Sequence, residues 1–499
     1  MKRFTKLLAA LLALLLTGLP GALAGETIRV NGDLPPKTAQ ETAEMVERIC
    51  EEYMEDQALK DTLQAEITHN EISFPIDEDE IWTYDICTLT HGGASMRFLM
   101  ECRGEPDETG RYPLYITLHG GGGGPAEGND SQWFDMFEYY KESVENGIYI
   151  ACRGITDTWD LHFRPASYML YDRLIQAMIL NYGADPNRVY LLGFSAGGDG
   201  VYQIAPRMAD RFAAANMSSG HPNGVRLLNL SCCPISLQVG IRDYYDYDVM
   251  RSVRAAEFEK VLTGYRQTYG FGYEHRILVH VPAGHNYNDY GDSQCLVLRD
   301  PQQFAERAVA EDLLEVFLDQ LELTTGERDV GTLSYDSVGV NPAFDQAMMD
   351  LITGTLGLEV TETNANAVRY VSGFTRDPSP VNLVWDLGTR AASREVDGFY
   401  WLEADQSVNA GIITACCDRE TNTLTVTPDG EVNGDFAILF DPYLVDVSEP
   451  VRIVTPKGTF TVEVSPSEEE IRQSVYGRGD PSFAYVGRIL YSQLGQGGQ

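Results

Sequence analysis

Between Arg188 and Ala205 the chain reads RVYLLGFSAGGDGVYQIA, an apolar run that ends in small residues around one serine and continues with a helical period. Val189 to Leu192 with Phe194 have the character of a buried strand, while Val201, Ile204 and Ala205 recur at helical spacing. A strand-to-helix turn this tight lifts its middle residue out of the chain, and side chains at its flanks would collide with neighbouring backbone. Gly193 and Gly197 in those positions make Ser195 a candidate nucleophile.

A serine hydroxyl attacks an acyl carbon only with a base to take its proton, a carboxylate to orient that base, and fixed N–H groups to receive the negative charge on the carbonyl oxygen. Upstream, YPLYITLHGGGGGPAEG is a strand that ends in His119 and five glycines from Gly120 to Gly124, the kind of backbone that can approach a substrate oxygen closely. Downstream, PISLQVGIRDYYDYD carries Asp243 just past a strand, and RILVHVPAGHNYND carries His285 just past the next. The order Ser, Asp, His is the one this strand–turn–helix arrangement requires. Asp246 and Asp248 compete for the acid, and His280 for the base, although His280 falls within a strand pattern where a core histidine is expected.

Other stretches could touch a substrate. RGITDTWDLHF places Trp159, Asp160 and His162 after a strand on the same side, and SSGHPNG places His221 after the strand that follows the serine helix. Tyrosines around Asp243 and His285 could stack on a sugar or aromatic ring. Asp199, in the first turn of the serine helix, is accounted for by the helix dipole alone.

The elements that must hold these residues fall into parts. Residues 1–24, MKRFTKLLAALLALLLTGLPGALA, have the basic start, apolar stretch and small-x-small end of a signal peptide, so the mature chain is expected to begin at Gly25 and to be secreted. No cysteine follows that site to carry a lipid, and no later stretch is apolar enough to span a membrane. Residues 25–80 form a charged helical extension with Met45, Ile49, Tyr53 and Met54 on one side. Residues 81–325 alternate strand and helix patterns and end in a helix over 301–321, which predicts an α/β class with a mainly parallel sheet and helices on both faces. Residues 335–499 are close-spaced strands, which predicts a β-sandwich-like accessory domain.

With 499 residues the chain is long enough for two or three such units. A formal net charge of −37 argues against nucleic acid and anionic membranes as partners. The nine cysteines show no C-x-x-C pair and no Cys/His spacing along the chain suited to zinc, so no metal or other cofactor is expected. Their odd number leaves at least one outside any intrachain bridge, and the adjacent pairs Cys232-Cys233 and Cys416-Cys417 read as apolar filler.

The set HGGGG, GFSAGG, VGxxD and AGH resembles the α/β-hydrolase superfamily, and within it secreted esterases of the polyhydroxybutyrate depolymerase and feruloyl or acetylxylan esterase kind; the resemblance covers roughly residues 95 to 322. It implies Ser195 as nucleophile, Asp243 as acid, His285 as base, and the N–H groups of Ala196 and Gly121, with Gly122 as a further candidate, as the oxyanion hole. The implied activity is hydrolysis of carboxylic esters, with an extracellular polysaccharide or polymer as the substrate class. A serine peptidase of the prolyl oligopeptidase type shares these motifs, but the chain before Ser195 shows no repeated propeller blades. A wall- or glycan-binding protein with a vestigial hydrolase is disfavoured by the complete set of three.

Overall fold

The computed structural model describes residues 27–75, 81–243, 251–301, 319, 322, 342–391 and 393–495. The expected leader, Asp246, Asp248, the neighbouring tyrosines 244, 245 and 247, and most of the expected helix over 301–321 lie outside these residues.

The described chain opens with β1 (Ile28–Val30) and the helices Ala39–Glu55 and Gln57–Ala65. Thr38 and Glu41 close a reciprocal capping box on the first helix, whose buried side is Met45, Val46, Ile49 and Tyr53. Three antiparallel strands follow: β2 (Ile67–Pro75), β3 (Ile81–His91) and β4 (Ala94–Arg103). Strands and helices then alternate: β5 (Tyr112–Leu118), helix Ala126–Tyr139, β6 (Gly147–Cys152), helix Pro165–Tyr182, β7 (Ala184–Phe194), helix Ala196–Ile204, β8 (Ala214–Ser218), β9 (Ile235–Gly240), helix Arg251–Tyr269 and β10 (His275–His280). β11 (Ser293–Arg299), helix Pro342–Asp350, β12 (Glu359–Ala365) and helix Ala367–Ser372 come next.

β2 to β12 form one sheet of 11 strands in the order β12-β11-β10-β9-β8-β7-β5-β6-β4-β3-β2. Its centre, β10 through β6, is parallel, and its two flanks are antiparallel. Alternation along β5 sends Leu114, Ile116 and Leu118 into one apolar cluster, with the helices at 165–182, 196–204 and 251–269, and Tyr115 into another, with the helices at 126–139 and 367–372. Both faces are thereby covered, as a central parallel sheet requires.

The remaining strands are β13 (Asn382–Asp386), β14 (Gly398–Phe399), β15 (Leu402–Glu403), β16 (Ile412–Asp418), β17 (Thr423–Asp429), β18 (Ala437–Leu439), β19 (Val451–Thr455), β20 (Gly458–Val464) and, after helix Glu468–Arg478, β21 (Arg488–Leu490). They make a six-stranded sheet, β1-β20-β19-β17-β16-β13, and a four-stranded one, β14-β15-β18-β21.

Both expected domain boundaries are crossed. The stretch 25–80 is not helical throughout: it supplies β1, parallel to β20, and β2, the edge of the large sheet. The stretch 335–499 supplies β12, paired along seven residues with β11, and the helix at 367–372 that covers part of the large sheet. β12 reads EVTETNA, and four of its seven residues face solvent, so it carries no apolar run by which a strand is recognised.

Candidate active site

Ser195 stands between the end of β7 and the first turn of the helix at 196–204 with φ 58° and ψ −119°. A side-chain-bearing residue in such a region costs about 1–3 kcal/mol and persists only where its surroundings hold it. Here Ser195 N–H donates to Ser218 O at 2.9 Å, and Asp199 N–H donates to Ser195 O at 3.0 Å. The flanking glycines are required by close backbone approach: a Cβ on Gly193 would lie 2.2 Å from Gly197 O, and one on Gly197 would lie 2.0 Å from Leu118 O.

The ends of β9 and β10 bring the other two residues to this serine. His285 Nε2 lies 2.8 Å from Ser195 Oγ, and His285 Nδ1 lies 3.0 Å from Asp243 Oδ1. Asp243 can only accept, so Nδ1 carries the imidazole proton and Nε2 is left to accept from the serine hydroxyl. Asp243 is fully buried and takes a second donor, Arg251 Nη1, at 3.1 Å. Ser219 Oγ donates to His285 O at 2.8 Å and so holds the histidine loop. Gly240 serves by close approach, since a Cβ there would lie 1.9 Å from Gly284 O in that loop.

The glycine loop faces them across a cleft of about 440 Å³ lined by Gly121, Gly122, Gln132, Phe194, Ser195 and His285, among others. His119 anchors it from below. Its Nδ1–H donates to Gly120 O at 2.5 Å, and its Nε2 accepts Gly154 N–H at 3.1 Å; burial pushes its pKa down to about 3, which keeps it neutral. Gly121 and Gly122 have φ of 95° and 86°, a region that favours glycine. Gly122 N–H is engaged: it donates to Asn129 Oδ1 at 2.7 Å, and Asn129 Nδ2 donates in turn to Asp157 Oδ1 at 2.9 Å. Arg153 pairs with Asp157 and, at 2.7 Å, with Asp130. The expectation that Gly122 donates to a substrate oxygen is therefore corrected. The N–H groups of Gly121 and Ala196 have no protein acceptor among the described residues, and Ala196, first in its helix, has no intrahelical one.

The structure brings Ser195, Asp243, His285, Gly121 and Ala196 together, keeps Gly122 in the same cleft with its N–H engaged, and sets the remaining candidates apart. Trp159 is 56% exposed and packs edge-on against Phe163 at 5.3 Å, with its backbone beside Gly122: it stands at the rim and not in the cleft lining. His221 is outside the cleft; its N–H donates to Asp199 Oδ1 at 2.6 Å and its ring meets Asn223 at 2.8 Å. Asp199 therefore ties down a loop besides facing a helix dipole, and burial raises its pKa. Asp160 accepts from Thr158 and Arg164. His162 is a core residue that donates to His119 O at 2.9 Å. His280 is likewise internal: it stacks on Tyr287 at 4.0 Å, donates to Gln238 Oε1 at 3.0 Å, and is pushed down to about 4 by burial. Tyr287 is thus half-buried support, its hydroxyl donating to Gln238 O at 2.6 Å, whereas Tyr290 is exposed and meets Tyr139 edge-on at 4.7 Å.

Sequence reasoning missed Asn129, Arg153, Asp157, Ser219 and Arg251. None has a motif of its own, although Arg153 and Asp157 lie within the RGITDTWDLHF segment. All nine cysteines are unbridged.

No protein-family model matches the chain. Feruloyl esterase B of Thermothelomyces thermophilus is 26% identical over 134 residues, which are 25% of this chain and 44% of that protein, so the chain spans less than half the length of this relative. Among solved structures, a thermostable esterase is 19% identical over 43% of this chain and 64% of its own, with a TM-score of 0.31. An acetyl xylan esterase from Aspergillus awamori is 12% identical over 39% of this chain and 90% of its own, with a TM-score of 0.29. The resemblance to α/β-hydrolase esterases read from the motifs stands: over the stretch they share, the chain is similar to a feruloyl esterase.

Proposed function

We propose that this protein is a secreted serine carboxylic-ester hydrolase of the α/β-hydrolase type. The observation that carries this reading is the hydrogen-bonded series Ser195 Oγ, His285 Nε2, His285 Nδ1, Asp243 at the C-terminal ends of parallel strands, 2.8 and 3.0 Å long in its two links. Ser195 Oγ attacks the ester carbonyl carbon while its proton passes to His285 Nε2. The imidazolium is stabilised by buried Asp243, and the oxyanion receives the N–H groups of Gly121 and Ala196. Collapse breaks the bond to the alcohol oxygen, which leaves with the proton from Nε2. Water then gives a proton to Nε2 and attacks the acyl-enzyme by the same route, freeing the acid and Ser195. No step calls for a metal or cofactor. The open cleft, with Trp159 exposed beside it, supports an ester carried on an extracellular polysaccharide or polymer.

The test is Ser195→Ala against a panel of p-nitrophenyl acyl esters and peptide anilides. Turnover of the esters is expected to fall by about four to six orders of magnitude with the fold retained. Residual activity of more than a few per cent would remove Ser195 from its role, and preferential cleavage of the anilides by the wild type would make the protein a peptidase.

A further inference from the structure

A second group of chemistry-bearing side chains lies at the far edge of the large sheet. In the β2–β3 pair His69 stands directly opposite Cys87, and Glu71 directly opposite Asp85. Two residues along a strand return to the same face, so these four side chains form two adjacent rungs on one face. His69 Nδ1 lies 2.8 Å from Asp85 Oδ2 and 3.6 Å from Cys87 Sγ, and the three donor atoms all fall within 4.8 Å of one another. An ordinary surface ion pair would need the carboxylate alone; here the same ring nitrogen also faces a sulfur.

The spacing fits a metal ion. Tetrahedral zinc, with Zn–S of about 2.3 Å and Zn–N of about 2.0–2.1 Å, has an S···N edge of about 3.6 Å, the separation found between Cys87 and His69. The N···O edge would be about 3.3 Å, so Asp85, which is exposed, has only to swing outward slightly. Cys87 is buried at the floor, while His69 and Asp85 are open to solvent and leave an entry path. One thiolate, one imidazole and one carboxylate select zinc over calcium or magnesium, which take oxygen ligands.

We propose that His69, Asp85 and Cys87 bind a zinc ion, with Glu71 or water in the fourth position, and that the ion cross-links the edge hairpin. The site is separate from hydrolysis. Paired residues run from His69 through Cys87, Phe98, Cys152 and Leu118 to Gly193, five strand spacings or roughly 24 Å. Spacing along the chain does not reveal this set, because strand pairing, and not sequence proximity, brings His69 to Cys87.

The full-length protein, stripped with a chelator, is titrated with Co²⁺ and then with Zn²⁺. One equivalent of Co²⁺ is expected to give a thiolate-to-cobalt charge-transfer band in the near ultraviolet that Zn²⁺ abolishes. The band is expected to be absent in Cys87→Ser, and binding at least about tenfold weaker in His69→Gln. Zn²⁺ is expected to raise the thermal midpoint of the wild type, with kcat/KM on a small ester changed less than about twofold, since no step of the chemistry uses it. No band at one equivalent overturns the proposal; so does a band that survives Cys87→Ser and is lost in Cys102→Ser or Cys416→Ser, the exposed thiols. Should Cys87→Ser fail to fold, the double variant His69→Gln/Asp85→Asn, both on the exposed side, decides: retained one-equivalent binding overturns the site.

Discussion

Asn129 accepts the Gly122 N–H at 2.7 Å and donates to Asp157 at 2.9 Å, so one amide couples the glycine loop to the segment behind it. The bond engages the Gly122 N–H, so on the proposed mechanism Gly121 is the loop's donor. Asn129→Ala is expected to lower kcat on small esters by roughly 10- to 100-fold with little change in KM, because a donor displaced by about an ångström loses most of its transition-state stabilisation. A change below twofold in kcat would mean that the loop is held by other groups and that Asn129 only packs.

Ser195, Asp243 and His285 are legible in sequence because each stands at a strand end in a local pattern of apolar run, glycine and polar residue. The parallel centre of the sheet is legible for the same reason: β5 to β10 are built on short, largely apolar runs, although Asn216, Ser236, Gln238 and His280 put buried polar groups on one face of β8 to β10. What sets the positions of those residues is not legible. Asn129 meets Asp157 across 28 residues, Ser219 meets His285 across 66, and such partners leave no period in the chain. The outer strands fail differently. β12 is mostly solvent-facing, and β2 was hidden in a charged stretch, so neither shows the hydrophobic run on which strand reading depends.

The tail is bound to the rest through buried charges. Arg394 Nε pairs with Asp172 at 2.8 Å and its Nη1 with Asp210 at 2.9 Å, while Arg376 and Arg211 share Asp480 at 2.8 and 3.3 Å. Removing one partner of a buried pair leaves the other uncompensated, at a cost of about 3–5 kcal/mol. Arg394→Ala is expected to destabilise the protein by that amount in urea unfolding. A chain ending near residue 325 would lose Arg376, Arg394, Asp480, the edge strand β12 and the helix at 367–372 together, and is expected to be insoluble or unfolded. A folded and active truncated protein would show instead that the large sheet is self-sufficient.

Two buried groups give opposite pH signatures. His280 is pushed down to about 4, against about 6.5 in an unfolded chain. Its contribution is therefore whole above pH ~6.5 and is lost as pH falls toward 4, because only the unfolded chain takes up the proton. Asp441 is pushed up to about 6 by burial, against about 3.9 unfolded, so its contribution is whole below that value and is lost as pH rises through 6. Relative to wild type, His280→Gln is expected to lose less stability between pH 6.5 and 4, and Asp441→Asn to gain between pH 4 and 6. Parallel denaturation curves across pH for wild type and variants would refute both assignments.

Trp159 tests how far the cleft extends toward a large substrate. The residue is 56% exposed with its ring edge-on to Phe163, and it lies beside Gly122 without lining the space above Ser195. A small acyl ester held by Ser195 and the loop does not reach it, whereas a sugar or aromatic unit beyond the ester could stack on the ring, a contact worth about 0.5–1.5 kcal/mol beyond its area. Trp159→Ala is accordingly expected to leave kcat/KM on p-nitrophenyl acetate within twofold, and to lower it by about 3- to 10-fold on acetylated or feruloylated polysaccharide. Equal losses on both substrates would mean that Trp159 supports the glycine loop through its backbone neighbours, and no loss on either would place the polymer on another side of the cleft.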